Sequence, residues 1–268
     1  MSIPFSHHLI YYHYIISLMN YNEKLRSIRI REAIVFLIVG MIVTGIITRV
    51  TNLDSIQGFG ENLLIFIVFL GFIYMLRGTT GFTDSIGSAF EHKNEIIYLF
   101  VINFLFGFFL VAFITFFDPS GFDTSALSRE YTGAGFLFNV LSSVILAPVV
   151  EELLFRGVLF NRLNEKMSLV LAMLISSLLF GLFHGFGVTQ FVFGLCMCVV
   201  YLKTRNIMVP IIIHIMNNLF AVIFADILHV ESFILQMPML AVILVVSAVC
   251  GILALLYTYK GVKALEGL

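Results

Sequence analysis

Residues 149–160 read VVEELLFRGVLF and place two adjacent carboxylates, Glu151 and Glu152, and one guanidinium, Arg156, inside a long apolar run. The whole chain is similarly apolar. Of its 268 residues 60% are hydrophobic and 12% are charged, with a mean hydropathy of +1.05, against roughly 25% charged residues in ordinary soluble domains. We therefore expect a membrane protein whose surroundings are a lipid bilayer and not nucleic acid. The sequence indicates no oligomeric state.

The chain contains eight apolar stretches that approach the length of a membrane span, which needs about 20 mostly apolar residues. The sequence therefore predicts an all-α polytopic transmembrane bundle of about eight spans, forming a single membrane domain over 33–260. The eight stretches are 33–49, 62–76, 96–117, 134–160, 169–186, 188–202, 207–228 and 234–258.

Positive charges support this count of spans. With eight spans, only Arg49 and Arg129 fall on one side, whereas twelve of the fifteen Lys and Arg residues fall on the other. Cytoplasmic loops carry an excess of Lys and Arg, so both termini are predicted to be cytoplasmic, as a segment 1–32 and a tail 261–268. We expect the plasma membrane as the location. Met19 precedes a polar stretch typical of a cytoplasmic start, which makes residues 1–18 a candidate dispensable segment.

Few polar side chains lie inside the apolar stretches, where an ionisable group costs about 2.5 to 3.5 kcal/mol and indicates a functional site. A rise of 1.5 Å per residue puts the candidates roughly 11 to 22 Å from the predicted cytoplasmic ends of their helices, compatible with one layer. Residues 134–228 would form the core of this site. Besides Glu151, Glu152 and Arg156, the candidates are His184, His214 and Asn218.

Helical spacing separates the candidates by role. Glu152 and Arg156 stand at i and i+4 and can pair on the helix surface, a pattern that by itself is more often structural than catalytic. Glu151 points about 100° away and has no local partner. His214 and Asn218 share one helix face by the same spacing. A single membrane histidine is often only a helix-bridging hydrogen-bond partner, so the hypothesis depends on all these groups converging.

Three motifs resemble those of the CPBP or Abi family, the CAAX-processing and bacteriocin-processing intramembrane proteases. They are Glu151-Glu152-xxx-Arg156, Phe180-xxx-His184 and His214-xxx-Asn218. The resemblance covers roughly residues 145–220 and is specific only when the three motifs are taken together.

The resemblance implies hydrolysis of a peptide bond in or near the membrane. Glu151 would be the general base that activates water with His184, and His214 and Asn218 would stabilise the oxyanion. Glu152 and Arg156 would support the site, with Phe180 as an apolar wall. The implied substrate is a membrane-associated peptide or protein precursor, which could be a bacteriocin-like or signalling peptide or a CAAX-type C-terminus.

Three alternatives stay open. Glu151, His184 and His214 could bind a catalytic zinc, although no compact HExxH helix is present, so no cofactor is favoured. The chain could be a non-catalytic scaffold or a peptide-immunity protein of the same family. A proton-coupled transporter is disfavoured, because the polar residues are confined to the second half of the chain.

Overall fold

The computed structural model describes residues 20–51, 59–117, 134–184, 187–224 and 240–267. Within these ranges the secondary structure is helical apart from one isolated bridge between Asn20 and Thr80. The predicted all-α class is therefore confirmed. The candidate dispensable segment 1–18, Arg129 and the first part of the last predicted span, 234–239, lie outside the described residues.

Ten helices make up the described part of the chain. Helix α6 is continuous over 134–164 and includes two π-helical stretches, Ser142–Leu146 and Leu153–Phe160. The other nine are α1 (Tyr21–Ser27), α2 (Ile30–Thr51), α3 (Phe59–Leu76), α4 (Phe82–Ala89), α5 (Lys93–Phe117), α7 (Leu169–Phe183), α8 (Val188–Thr204), α9 (Met208–Val222) and α10 (Leu240–Glu266).

Eight of these helices correspond to the eight apolar stretches, which makes the chain a multi-pass membrane protein. In the described residues, five helical segments are long and apolar enough to cross a membrane, and α7, α8 and α9 are shorter apolar helices. The five are Ile30–Thr51, Phe59–Leu76, Phe82–Val111, Leu137–Asn164 and Val242–Glu266.

Helices α1 and α4 were not predicted. They have seven and eight residues and contain polar side chains, so neither produces an apolar stretch of spanning length. Local signals nevertheless fix α1, because the Asn20 side chain accepts a hydrogen bond from the Asn22 backbone N–H and caps the helix. Tyr21 and Leu25 of α1 belong to the buried hydrophobic core.

Helix α8 lies at the centre of the bundle and contacts α5, α7, α9 and α10. All residues from Val192 to Tyr201 are buried, which is the pattern of a helix enclosed on every side. Gly194 allows α7 to approach closely, since a Cβ at this position would lie 2.9 Å from the Cβ of Ser177. The packed α7–α8 pair supports the helices that carry the polar side chains.

The loops rich in Lys and Arg meet at one end of the bundle, which we call the basic end. Arg162 donates from Nε to the Ile28 carbonyl (2.9 Å) and from Nη2 to the Ser27 carbonyl (2.5 Å). Lys203 of α8 forms an ion pair with Glu95 of α5. These contacts gather the basic loops at one end, as eight spans require. That this end faces the cytoplasm stays a prediction.

Candidate active site

The polar site is built around α6, whose backbone departs from regular α-helical bonding on both sides of its carboxylates. Pro148, which lacks an N–H to donate, lies between the two π-helical stretches. Ser176 of α7 donates to the Phe155 carbonyl (3.2 Å), and Asn161 donates to the Gly157 carbonyl (2.7 Å). π-Helical stretches are rare in proteins, and those that do occur often lie at functional sites.

Glu151 lies between two histidines from other helices. Its Oε2 atom is 3.4 Å from Nε2 of His184 and 3.8 Å from Nε2 of His214, and its side chain is 24% exposed. Both distances exceed the usual 2.7–3.2 Å of an N–H···O hydrogen bond. Oε2 is itself buried and has no hydrogen-bond partner among the described residues. The expected convergence of Glu151, His184 and His214 is present in the structure.

Glu152 connects two helices. Its Oε1 atom lies 3.0 Å from Nη1 of Arg156, as the i, i+4 spacing predicts, and 2.8 Å from Nδ1 of His214 on α9. The side chains of Glu152 and Arg156 are both fully buried. The contact with His214 was not expected from the sequence, because helical spacing reports only partners on the same helix. The two adjacent carboxylates thus bracket one imidazole.

Both imidazoles are held through Nδ1. His184 follows the last residue of α7, and its Nδ1 lies 2.8 Å from the Phe180 carbonyl oxygen. His214 bonds the Glu152 carboxylate through Nδ1. Carbonyl and carboxylate oxygens only accept, so Nδ1 is the donor in each ring. The other nitrogen, Nε2, therefore faces Glu151 in both cases.

Phe180 packs beneath these groups and is 1% exposed. Its ring centroid lies 4.4 Å from the guanidinium carbon of Arg156 and 4.5 Å from the His184 ring centroid. A cation over an aromatic face is attracted by about 0.5–2 kcal/mol, which partly offsets the burial of a guanidinium whose Nε and Nη2 have no hydrogen-bond partner among the described residues. The ring also contacts Phe155 (5.2 Å).

Asn218 lies one turn beyond His214 on α9, and its Nδ2 donates to the Ser143 carbonyl of α6 (2.9 Å). Its neighbour Asn217 donates instead to the Ile213 carbonyl of its own helix (2.9 Å). The amide of Asn218 is thus fixed on the first π-helical stretch, on the helix that carries Glu151, whereas Asn217 makes a local contact.

The donor set permits more than one chemistry. No group of three or more His, Cys, Asp or Glu side chains in the described ranges is arranged to hold a metal ion. The chemistry of Glu151, His184 and His214 nevertheless suits zinc, since metal-binding histidines usually donate their other nitrogen to a carboxylate or carbonyl. Glu152 pairs with the Arg156 guanidinium, whereas the ionisable groups within 4 Å of Glu151 among the described residues are the two imidazoles.

Comparison with known proteins agrees with the motifs. Residues 133–220 match the family described as type II CAAX prenyl endopeptidase Rce1-like. The chain is 37% identical over 87 residues to the putative membrane peptidase YdiL of Bacillus subtilis, a match covering 31% of this chain and 36% of YdiL. It is also 37% identical over 89 residues to the membrane-embedded CAAX protease MroQ of Staphylococcus aureus, covering 30% of this chain and 36% of MroQ.

The matched region thus spans little more than a third of either curated relative. No solved structure is significantly similar to the chain. The resemblance that the three motifs indicated is confirmed for residues 133–220, which contain Glu151, Glu152, Arg156, Phe180, His184, His214 and Asn218.

Proposed function

Because residues 133–220 match the Rce1-like CAAX endopeptidases, we propose that this multi-pass membrane protein is an intramembrane endopeptidase. The observation that carries the proposal is the position of Glu151, whose buried Oε2 lies within 3.8 Å of the Nε2 atoms of both His184 and His214. A carboxylate held beside two oriented imidazoles suits general-base activation of water.

In the first step Glu151 takes a proton from a water molecule that His184 helps to hold. The oxygen of this water attacks the scissile carbonyl carbon and forms a tetrahedral intermediate. The negative charge that develops on the former carbonyl oxygen is stabilised by the amide of Asn218 and by His214, which has to carry a proton on Nε2 as well as on Nδ1 to donate to it. Fixed donors in a site with little water stabilise such a charge strongly.

In the second step the intermediate collapses, and Glu151 returns the proton to the departing amine nitrogen. Glu152 supports the reaction by holding His214, and Arg156 offsets the charge of Glu152. The backbone carbonyl of Phe180 accepts a hydrogen bond from His184, and the Phe180 ring packs against Arg156. No part of this cycle requires a group other than this chain's side chains and water.

Zinc catalysis is the alternative within the same activity: Glu151, His184 and His214 would hold the ion, and the ion would supply Lewis acidity that activates water. We favour the metal-independent reaction, since the three side chains come from three helices without a compact HExxH helix. Activity measured after dialysis against a chelator tests this preference. Loss of activity that zinc restores would contradict it.

The substrate that we propose is a membrane-associated peptide or protein precursor. A bacteriocin-like or signalling peptide and a CAAX-type C-terminus both suit a site within the membrane. The plasma membrane is the proposed location, and no nucleic-acid partner is expected.

Replacement of Glu151 by Gln tests the proposed function. The amide keeps the size of the side chain but cannot accept the water proton, so we expect peptide cleavage to be lost while the protein level in the membrane is unchanged. Glu165→Gln is the matched control, because Glu165 is exposed at the basic end and pairs with Arg162. Unaltered cleavage products in the Glu151→Gln variant would favour the non-catalytic scaffold or immunity protein.

A further inference from the structure

Helix α4 has its large apolar side chains on the face turned away from the protein, whereas a helix packed on a core usually turns them inward. Ser85 and Ala89, which face the protein, are 6% and 0% exposed. Phe82, Ile86 and the following Phe90 are 47%, 37% and 60% exposed. A contiguous exposed apolar surface of this kind marks a contact with a membrane or another protein.

The Phe82 ring contacts Tyr21 of α1 (5.3 Å) and Ala89 is buried, and hydrogen bonds attach the rest of the inner face of α4 to the bundle. Asn206 donates from Nδ2 to the Ser85 carbonyl (2.6 Å) and to Ser88 Oγ (3.0 Å). Asn22 of α1 donates to Ser85 Oγ (3.2 Å). This polar inner face fixes which way α4 is turned, and therefore fixes Ile86 and Phe90 on the outside.

The outer face of α4 continues into the part of α5 that faces lipid. Ile97 and Val101 of α5 are 54% and 41% exposed. At 100° per residue, Phe82, Ile86 and Phe90 lie within an arc of about 80° on α4, and Ile97 and Val101 lie about 40° apart on α5. Because α5 belongs to a membrane-crossing segment, this continuity favours lipid as the partner of the α4 face.

Helix α4 lies at the level where the spans end. The segment Phe82–Val111 has 30 residues and would measure about 45 Å as a helix, more than the ~30 Å of the hydrocarbon core. A 3₁₀ turn at Phe90–His92 separates α4 from α5. Asn206, which holds α4, lies between the end of α8 and the start of α9. These constraints place α4 at the boundary of the bilayer.

Lys93 marks the same level. It is exposed. Residues three apart eclipse in a 3₁₀ turn, so Lys93 lies in line with Phe90, and at 100° per residue it lies about 40° from Ile97 on α5. A lysine among apolar residues extends its stem along the apolar surface and puts its ammonium group at the lipid headgroups. Phe90 precedes this headgroup-level residue by three positions.

We infer that α4 is an interfacial helix whose Phe82, Ile86 and Phe90 side chains insert into the headgroup and acyl boundary of the bilayer at the basic end. Such helices bury their apolar face about 5–10 Å into this boundary. Asn206 also accepts a hydrogen bond from the backbone N–H of Met208, the first residue of α9 (2.9 Å). The lipid surface is thereby connected, through α4 and Asn206, to the helix that carries His214.

Tryptophan fluorescence tests the inference directly, because the natural chain contains no tryptophan. Single variants Phe82→Trp, Ile86→Trp and Phe90→Trp are reconstituted in phosphatidylcholine vesicles containing a lipid brominated near the top of its acyl chains. Ile97→Trp is the positive control. Asp84→Trp is the matched negative control, since Asp84 is exposed but lies about 200° from Phe82 on the α4 helix.

We expect the brominated lipid to quench Phe90→Trp and Ile86→Trp at least half as strongly as Ile97→Trp, and aqueous iodide to quench mainly Asp84→Trp. Three positions on the face keep the test valid if one variant misfolds, which thermal unfolding in detergent reveals. Iodide quenching of all three face variants equal to that of Asp84→Trp, without quenching by lipid, would overturn the inference and leave the face for a protein partner. The measurement needs no substrate, so its outcome is independent of the proposed peptidase activity.

Discussion

Oε1 of Glu152 lies 2.8 Å from Nδ1 of His214 and 3.0 Å from Nη1 of Arg156, so one buried oxygen holds an imidazole of α9 and a cation of α6. An ion pair inside one helix stabilises that helix only. The additional contact with His214 makes the same carboxylate determine how α6 and α9 face each other. Glu152 therefore orients a site residue, which a carboxylate that paired with Arg156 alone would not do.

Replacing Glu152 by Leu leaves Arg156 as an unpaired buried charge. Breaking a buried pair in this way costs about 3–5 kcal/mol, and we expect the melting temperature in detergent to fall accordingly. Replacing both partners, as in Glu152→Leu with Arg156→Met, removes the unpaired charge and should restore most of the stability. A double variant as unstable as the single one would contradict this account.

The role of Glu152 toward His214 is separable from its role toward Arg156. The double variants Glu152→Leu/Arg156→Met and Glu152→Gln/Arg156→Met both lack the ion pair, but only Gln retains an oxygen that accepts from His214. We expect cleavage by the Leu variant to be lower by about 10- to 100-fold, the range for residues that orient a metal-binding imidazole. Equal rates at equal stability would assign Glu152 a purely structural role.

Asn218 and Asn217 form a matched pair on α9. Asn218→Ala removes a proposed oxyanion donor, and loss of one such donor costs about 10² to 10³ in kcat. Asn217→Ala removes an amide that, within the described ranges, donates to the Ile213 carbonyl of its own helix, so its kcat should stay near that of the natural protein. Steady-state cleavage of one peptide by both variants makes the comparison. Equal losses would contradict the proposed role of Asn218.

Phe180 and Phe183 differ in burial, at 1% and 69% exposed. Phe180→Ala should cost about 3–5 kcal/mol, the usual range for deleting a buried phenyl ring. Phe183→Ala should change stability far less, although the Phe183 ring contacts Phe155 (5.7 Å). Thermal unfolding in detergent compares them. Equal destabilisation would show that lipid contacts, and not the packing beneath the site, dominate stability here.

Gly157 is the contact point between α6 and α1. A Cβ at this position would lie 2.6 Å from Cδ2 of Leu25, and such overpacking typically costs about 1–3 kcal/mol. We expect Gly157→Ala to lower the melting temperature and Leu25→Ala in the same chain to restore part of it. Gly45→Ala is the control, since no atom of the described residues contacts a Cβ built at this position within 4 Å. Absence of any rescue would argue against docking of α1 at Gly157.

The spans and the main site residues could be predicted because lipid imposes strong constraints on sequence. Apolar runs have to be long, and a group such as Glu151 or His214 is costly enough in the membrane to stand out. The depths of Glu151, His184 and His214 on their helices were compatible with one layer, and the structure shows that the three side chains meet. Helices α1 and α4 left no comparable signal, because helices of seven and eight residues are too short to contain an apolar run of spanning length.

The link between Glu152 and His214 was missed for a geometric reason. A helical wheel turns two adjacent residues about 100° apart, which suggested that Glu151 and Glu152 serve different partners. An imidazole has two nitrogens on opposite edges, so the ring of His214 fits between both carboxylates. The π-helical bonding of α6 could not be predicted either, because a helical wheel assumes 3.6 residues per turn throughout.

The π-helical stretch Leu153–Phe160 separates the carboxylates from the residues that anchor α6 at the basic end, Asn161 and Arg162. Each hydrogen-bonded π turn holds one residue more than an α turn. If the stretch returned to α-helical bonding without losing a residue, the surplus residue would take up its own 100° of turn, and the carboxylates would rotate by about 100° relative to the anchors. The rotational phase of α6, set by a single surplus residue, therefore decides whether Glu151 and Glu152 face His214 or lipid.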